Sequence, residues 1–215
     1  MDKKSESQPQ KYDNVFEQFF NGIVSTLERY EFFIDRGFDK STMKPDEVFK
    51  MAHDYASDYA KGRNVNFVIE GADVLTQYQH GSFSAKEQLA DYELYTLFAN
   101  LMQNAVKYTR EGTTVNVKFA EQTLGGKKYL TFSVRDEGIG IPKDAQPQAL
   151  KGKRAQNAID AGIQGTGYGL RRIRRIIEDV QGRDGKTIEI NSPLNPLNEK
   201  YPGTEITAYL RLKDG

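Results

Sequence analysis

Between residues 165 and 169 the chain reads Gly-Thr-Gly-Tyr-Gly, then runs without a break into Leu170-Arg171-Arg172-Ile173, the start of a helical apolar period over Leu170–Val180. Glycines at alternate positions leave backbone N–H groups uncovered, and at a helix N-terminus such groups form an anion site. The setting of this run restricts the fold. A dinucleotide fold would place Gly-x-Gly-x-x-Gly after an early strand, and a P-loop would end in Gly-Lys-Ser/Thr. Here the spacing is Gly-x-Gly-x-Gly, arriving late and behind an aperiodic stretch (residues 141–165) rich in Lys, Gln, Ala and Pro. The run predicts a phosphate site of another kind.

The rest of the chain supplies a frame for it. Pro45–Lys61 carries Val48, Phe49, Ala52, Ala56 and Tyr59 on one side and is closed by Gly62. Leu89–Tyr108 carries Leu94, Leu97, Phe98, Leu101, Met102, Ala105 and Val106. Both spacings predict helices. Val65–Ile69, Thr114–Glu121, Lys128–Asp136, Thr187–Asn191 and Gly203–Leu212 predict strands, the second and third joined as a hairpin at Gly125-Gly126. Residues 71–86 read as irregular. Helices and hairpins segregate, so the predicted class is α+β: a two-layer sandwich whose mixed, mostly antiparallel sheet carries helices on one face, preceded by an N-terminal helix. Ahead of the sandwich, residues 1–10 read as a disordered polar tail. From Tyr12 to Phe38 apolar positions recur at three- and four-residue steps, and the stripe from Val15 to Ile34 is broader than one neighbour requires. That helix either packs on its own domain or contributes residues 15–34 to a homodimer interface.

A chain of 215 residues suits one domain with a modest extension. Lys+Arg and Asp+Glu both number 30, which leaves no general nucleic-acid footprint. The absence of Cys excludes disulfides and thiolate metal sites, and the two histidines, His53 and His80, are not spaced as zinc ligands. No apolar run approaches the roughly 18 residues of a membrane span, and the first ten residues lack the apolar core of a secretory signal. The expectation is a cytoplasmic chain with no membrane contact of its own.

Two further segments carry chemistry. Asn100 and Asn104 lie four apart in a predicted helix, so their amides share a face. Asn is a mild cost inside a helix, and two of them beside apolar Leu101 and Ala105 need a reason. Their carboxamide oxygens can complete the shell of a Mg²⁺ otherwise held by water and phosphate. At a strand end, Asp136-Glu-Gly138-Ile-Gly140 sets a carboxylate where it can accept from an exocyclic amine, beside glycines that let the backbone turn tightly against a flat ring. Alone, that second segment is an ordinary turn.

In this order and spacing the three segments resemble the ATP-binding domain of the gyrase, heat-shock chaperone, histidine kinase and mismatch-repair superfamily, and the sensor histidine kinase branch most closely. Residues 100–109, Asn-Leu-Met-Gln-Asn-Ala-Val-Lys-Tyr-Thr, are similar to its Asn box; Asp136, Gly138 and Gly140 to its first glycine box; Gly165, Gly167 and Gly169 to its second; and Gly203-Thr204 to its terminal Gly-Thr. The resemblance implies an ATP-binding domain over residues 41–215 with a mobile lid at 141–164, and ATP and Mg²⁺ as ligands. It implies that Asn104 ligates Mg²⁺ with Asn100 supporting metal and phosphates, and that Lys107 approaches phosphate. Tyr108 would lie over the adenine, Asp136 would accept from its amine beside Gly138 and Gly140, and Thr204 would border the base. Gly165, Thr166, Gly167, Tyr168 and Gly169, continuing into Leu170, would wrap the β- and γ-phosphates. Residues 11–40 resemble the second helix of a kinase dimerisation hairpin.

The chain also departs from the pattern. Hydrolytic members carry Glu where this chain has Asn100, and a carboxamide takes no proton at neutral pH, so the resemblance implies transfer rather than hydrolysis. No segment resembles the acceptor-His box: His53 is followed by Asp54 but falls in the first helix of the ATP domain, and His80 falls in a polar loop. Lys151, Lys153 and Arg154 stand where the family has an aromatic pair, either as a solvated loop or as charges that approach the γ-phosphate or an acidic partner. Three readings stay open. The chain is the catalytic module of a two-component sensor kinase, passing the γ-phosphoryl to a His-bearing phosphotransfer domain that serves a response regulator; or a nucleotide-responsive interaction module without transfer; or a slow, dimerisation-linked ATPase.

Overall fold

The computed structural model describes residues 43–83, 89–182 and 185–213. The expected tail, the helix over 12–38 and its dimer face lie outside the described residues.

Helix α1 (Pro45–Lys61) starts on its proline, with Asp46 and Glu47 in the first turn and a buried stripe of Val48, Phe49, Ala52, Ala56 and Ala60. Strand β1 (Asn66–Glu70) follows, and the segment read as irregular contains 3₁₀ turns at Ala72–Gln77 and His80–Ser82. Helix α2 (Asp91–Tyr108) begins two residues later than predicted, with Glu93 accepting from the Ala90 N–H at 3.1 Å. Strands β2 (Thr114–Leu124) and β3 (Lys127–Asp136) form the predicted hairpin, with Gly125 and Gly126 at φ 55° and 75° in the turn. The aperiodic stretch holds two short helices, α3 (Gln146–Ala149) and α4 (Gln156–Asp160). Four and five residues are too few to display a helical period. Helix α5 (Tyr168–Gln181) and strands β4 (Ile188–Asn191) and β5 (Thr204–Arg211) complete the described chain.

The five strands lie in the order β1-β2-β3-β5-β4, with β1 parallel to β2 and every other pair antiparallel. This is the predicted two-layer α+β sandwich. Inward-facing positions of the sheet meet α1, α2 and α5 through a core centred on Phe49, Phe98, Phe119 and Phe132, whose rings approach edge-on or tilted at 4.8–6.2 Å between centroids. Each such buried side chain stabilises the fold by about 1.5–3 kcal/mol, with the ring geometry adding to it. The last strand inserts between β3 and β4, and its register sets Thr204 opposite Asp136. Two segments 68 positions apart in sequence thereby share one end of the sheet. Among the described residues no helix is long and apolar enough to cross a membrane.

Candidate functional site

At that end of the sheet, a cavity of about 410 Å³ opens between α2, the ends of β3 and β5, residues 149–158 and the start of α5. Its volume lies in the range of small-molecule sites. Of the residues singled out from the sequence, Asn100, Asn104, Lys107, Tyr108, Asp136, Gly140, Gly165, Thr166, Gly167, Gly169, Leu170 and Thr204 line it. Gly138 and Tyr168 do not. Gly138 sits under the end of α2, where a Cβ would lie 2.2 Å from the Tyr108 carbonyl oxygen, and Tyr168 is 58% exposed beside Arg171. Tyr59, Gln103, Lys153 and Arg154 also line the cavity, while Lys151 is exposed outside it.

The last turn of α2 is held from outside the helix. Arg63, just beyond α1, donates to the carbonyls of Val106, Lys107 (2.7 Å) and Thr109 (3.0 Å). A cation on terminal carbonyls satisfies groups the helix leaves open and complements its dipole. One turn earlier, Asn100 Nδ2 donates to the Thr96 carbonyl at 2.7 Å, which leaves Oδ1 facing the cavity. A Cβ on Gly169 would lie 3.5 Å from that oxygen and 3.2 Å from Asn104 Nδ2. The start of α5 therefore rests directly on the two carboxamides.

Cations hold the other side of the glycine loop. Lys107 reaches Gly165 so closely that a Cβ there would meet its Nζ at 2.1 Å. Burial, and then the Arg154 guanidinium, lower the Lys107 pKa below the ordinary lysine range. The Arg154 stem packs on Gly167, its guanidinium donates to the Ile163 carbonyl, and its Nε is buried with no hydrogen-bond partner. Gly167 itself, at φ +79°, could not carry a side chain without meeting the Gly152 carbonyl oxygen at 2.9 Å. Among the described residues, the side chains packed nearest these three glycines are two carboxamides, two cations and the Tyr108 phenol, with no carboxylate among them. Two like charges facing one loop repel until an anion arrives between them.

The far end of the cavity has the opposite character. Asp136, only 6% exposed, accepts from the Gly138 N–H at 2.8 Å and from the Thr204 N–H. Burial pushes its carboxyl up to about 7 against the pull of those two donors. Ser192 Oγ accepts from the Ile141 N–H (2.8 Å) and donates to the Gly203 carbonyl (2.9 Å), and the Gly203 N–H donates to the Gly138 carbonyl (2.9 Å). The Asp136–Ile141 turn and Gly203-Thr204 are thus one bonded unit. Asn157 in α4 joins it by donating to the carbonyls of Ile139 (3.2 Å) and Gly140 (3.0 Å). Tyr108 is half-buried nearby, its phenol pKa raised by burial.

The donor set suits a nucleotide with its cation. Among the described residues no cluster of three or more His, Cys, Asp or Glu could hold a metal alone. Carboxamide oxygens on α2 that face a glycine loop fit a hard cation that keeps phosphate and water ligands, as Mg²⁺ does. His53 lies apart, with Nε2 3.2 Å from Ser57 Oγ and its ring edge-on to Phe67 at 5.4 Å.

Comparison with known proteins gives the fold a family. The family model described as histidine kinase-, DNA gyrase B-, and HSP90-like ATPase matches residues 91–214. Sensor histidine kinase Hik2 of Thermosynechococcus vestitus is 34% identical over 122 residues, which are 56% of this chain and 28% of Hik2. Sensor protein GacS of Pseudomonas syringae pv. syringae is 36% identical over 93 residues, 43% of this chain and 10% of GacS. The chain therefore spans less than a third of the length of these relatives. The mycobacterial sensor histidine kinase MprB superposes with a TM-score of 0.55 at 17% identity, covering 79% of this chain and 95% of that one. The nucleotide-free catalytic domain of histidine kinase ThkA gives 0.51 at 19% identity, over 80% and 96%. At those identities the structures speak to the fold alone.

Proposed function

The chain belongs to the histidine kinase-, DNA gyrase B- and HSP90-like ATPase family, and from that premise we propose that it binds Mg·ATP in this cavity and donates the γ-phosphoryl group to a histidine outside the chain, as the cytoplasmic catalytic module of a two-component sensor kinase. The observation that carries the reading is the make-up of the glycine loop's neighbours: Asn100, Asn104, Lys107 and Arg154 are all phosphate- or cation-directed groups. Among the described residues Asp136 is the one carboxylate lining the cavity, and it is tied to the Gly138 and Thr204 N–H groups. Among the described residues no carboxylate or histidine lines the phosphate end, and the carboxamide of Asn100 takes no proton from water, which favours transfer over hydrolysis.

The residues divide the work as follows. Asp136 accepts from the adenine amine, with Tyr108 over the base and Thr204 at its border. The loop Gly165–Gly169 offers N–H groups to the β- and γ-phosphates, and Lys107, Lys153 and Arg154 neutralise them. Asn104, supported by Asn100, holds Mg²⁺, which when bound supplies further charge neutralisation on the phosphate oxygens. Segment 141–164 acts as the lid that excludes water. Catalysis by such a site is positioning and electrostatics, the acceptor's own surroundings handling its proton.

Incubation with γ-labelled ATP and histidine-bearing phosphotransfer domains tests this. The expected product is an acid-labile, base-stable phosphoprotein that vanishes in Asn104→Ala. Tight ATP binding with unaltered ATP and no labelled acceptor would instead favour a nucleotide-responsive interaction module.

A further inference from the structure

Charge is not spread evenly over this molecule. The chain as a whole is neutral, yet residues 141–175 hold eight Lys and Arg against two Asp, a net of +6 that the remainder of the chain must balance. Two of the eight are answered within α5, Arg174 by Glu178 at 2.7 Å and Arg175 by Asp179 at 3.8 Å. Lys153 and Arg154 line the cavity beside Lys107 of α2, where nucleotide phosphates account for them, and Lys143 is exposed next to Asp144. Lys151 and Arg171 are different: both are exposed and outside the lining, so a bound nucleotide gives them no partner.

These outer cations form one surface. Gly152, between Lys151 and Lys153, lies against α5 so closely that a Cβ would fall 3.0 Å from Arg171 Cδ and 3.1 Å from the Tyr168 ring. The Arg171 guanidinium lies 6.0 Å from the centre of the Tyr168 ring, and that of Arg172 5.2 Å from the centre of the Tyr92 ring. Lys151 and Arg171 enter no ion pair among the described residues. The lid turn and the first turns of α5 thus make a cationic rim, beside the loop whose glycines open on the phosphates. Like charges brought together, as Lys151 and Arg171 are, cost stability, and they focus an attractive field on an approaching anion.

Resting on the phosphoryl-transfer reading above, we propose that this rim docks an acidic face of the protein that receives the phosphoryl group. The rim's position favours that occupant over other polyanions. A duplex or an anionic bilayer seated there would close the opening without bringing an acceptor to it, and the patch is compact rather than a stripe that could follow a nucleic-acid backbone.

The test uses the full chain with AMPPNP and two fluorescein-labelled helical peptides of equal length, each with a central His. One carries Glu along the flanking helix face and the other carries Gln at the same positions. Binding is followed by anisotropy at rising salt, beside a 20-bp DNA duplex and phosphatidylserine vesicles. The expected result is salt-sensitive binding of the Glu peptide only, weakened about tenfold or more in Lys151→Glu/Arg171→Glu and less in Lys151→Ala/Arg171→Ala, while ATP affinity changes less than about twofold. Equal binding of both peptides, an unaffected double variant, or capture of duplex or vesicles in place of the peptide would overturn the proposal. Wild-type protein that binds no ATP would sink the nucleotide reading itself; intact ATP binding without peptide discrimination sinks the rim alone.

Discussion

Asp136 carries two opposed demands, since the fold buries it and the proposed chemistry wants it as an acceptor. Unfolded, its carboxyl titrates near 3.8; folded, near 7. Below about 4 both states hold the proton and the group is neutral to stability. Between the two values the folded chain keeps a proton that the unfolded chain has lost, so stability falls as pH rises, by at most about 1.4 kcal/mol per pH unit, and above about 7 the penalty is complete. Calorimetry of the nucleotide-free protein should show Tm falling from pH 5 to pH 8 more steeply than in Asp136→Asn. The same variant should bind ATP at least about tenfold more weakly by titration calorimetry. Parallel pH slopes would refute the burial account, and unchanged affinity would remove Asp136 from the nucleotide site. At this scale much was legible in the sequence: Asn100, Asn104 and Lys107 share a face because three- and four-residue spacing dictates it, whatever surrounds the helix. Tyr59 was not, and for Arg154 the sequence left two readings open. Tyr59 falls in the apolar period of α1 and reads as core, although it is exposed and lines the cavity, and the inward turn of Arg154 depends on the fold of α4.

Among the elements, α2 depends most on help from elsewhere. Its last turn carries Lys107 and Tyr108 and ends on carbonyls held by Arg63. Arg63→Met keeps much of the stem and removes the donors; it should cost about 1.5–3 kcal/mol in denaturant unfolding and weaken ATP binding, with Arg63→Lys recovering part of both. Unaltered affinity with lowered stability would show that the cap holds the helix without tuning the site. Helix and strand bounds were readable within about three residues, because periodicity and the punctuating Gly and Pro are local signals. The cap was not readable, since an arginine 43 positions from its first partner has no local signature. Helices α3 and α4 were equally invisible: one turn of helix is stabilised by what it packs against, here through buried Ala149 and Ala158, rather than by its own pattern.

For the molecule as a whole, the α+β class followed from segregated periods, but strand order did not, because the pairing of β3 with β5 joins residues far apart in sequence. That pairing makes nucleotide binding a property of the complete sandwich, so ATP should stabilise it globally. At one hundred times Kd the gain is about 2.7 kcal/mol, or roughly 5–10 °C in Tm for a chain of this size. AMP, which lacks the β- and γ-phosphates proposed to meet Lys107 and Arg154, should shift Tm less at equal concentration; an equal shift would place the binding energy in the part that AMP shares with ATP. The insertion of β5 between β3 and β4 also has a consequence in time. On the ribosome, the flank of β3 that pairs with β5 stays bare until β5 emerges, and until then Asp136 has no Thr204 beside it. A chain synthesised only as far as β4 therefore has its glycine loop but not the Thr204 that pairs with Asp136, and the cavity is complete only once β5 has joined the sheet.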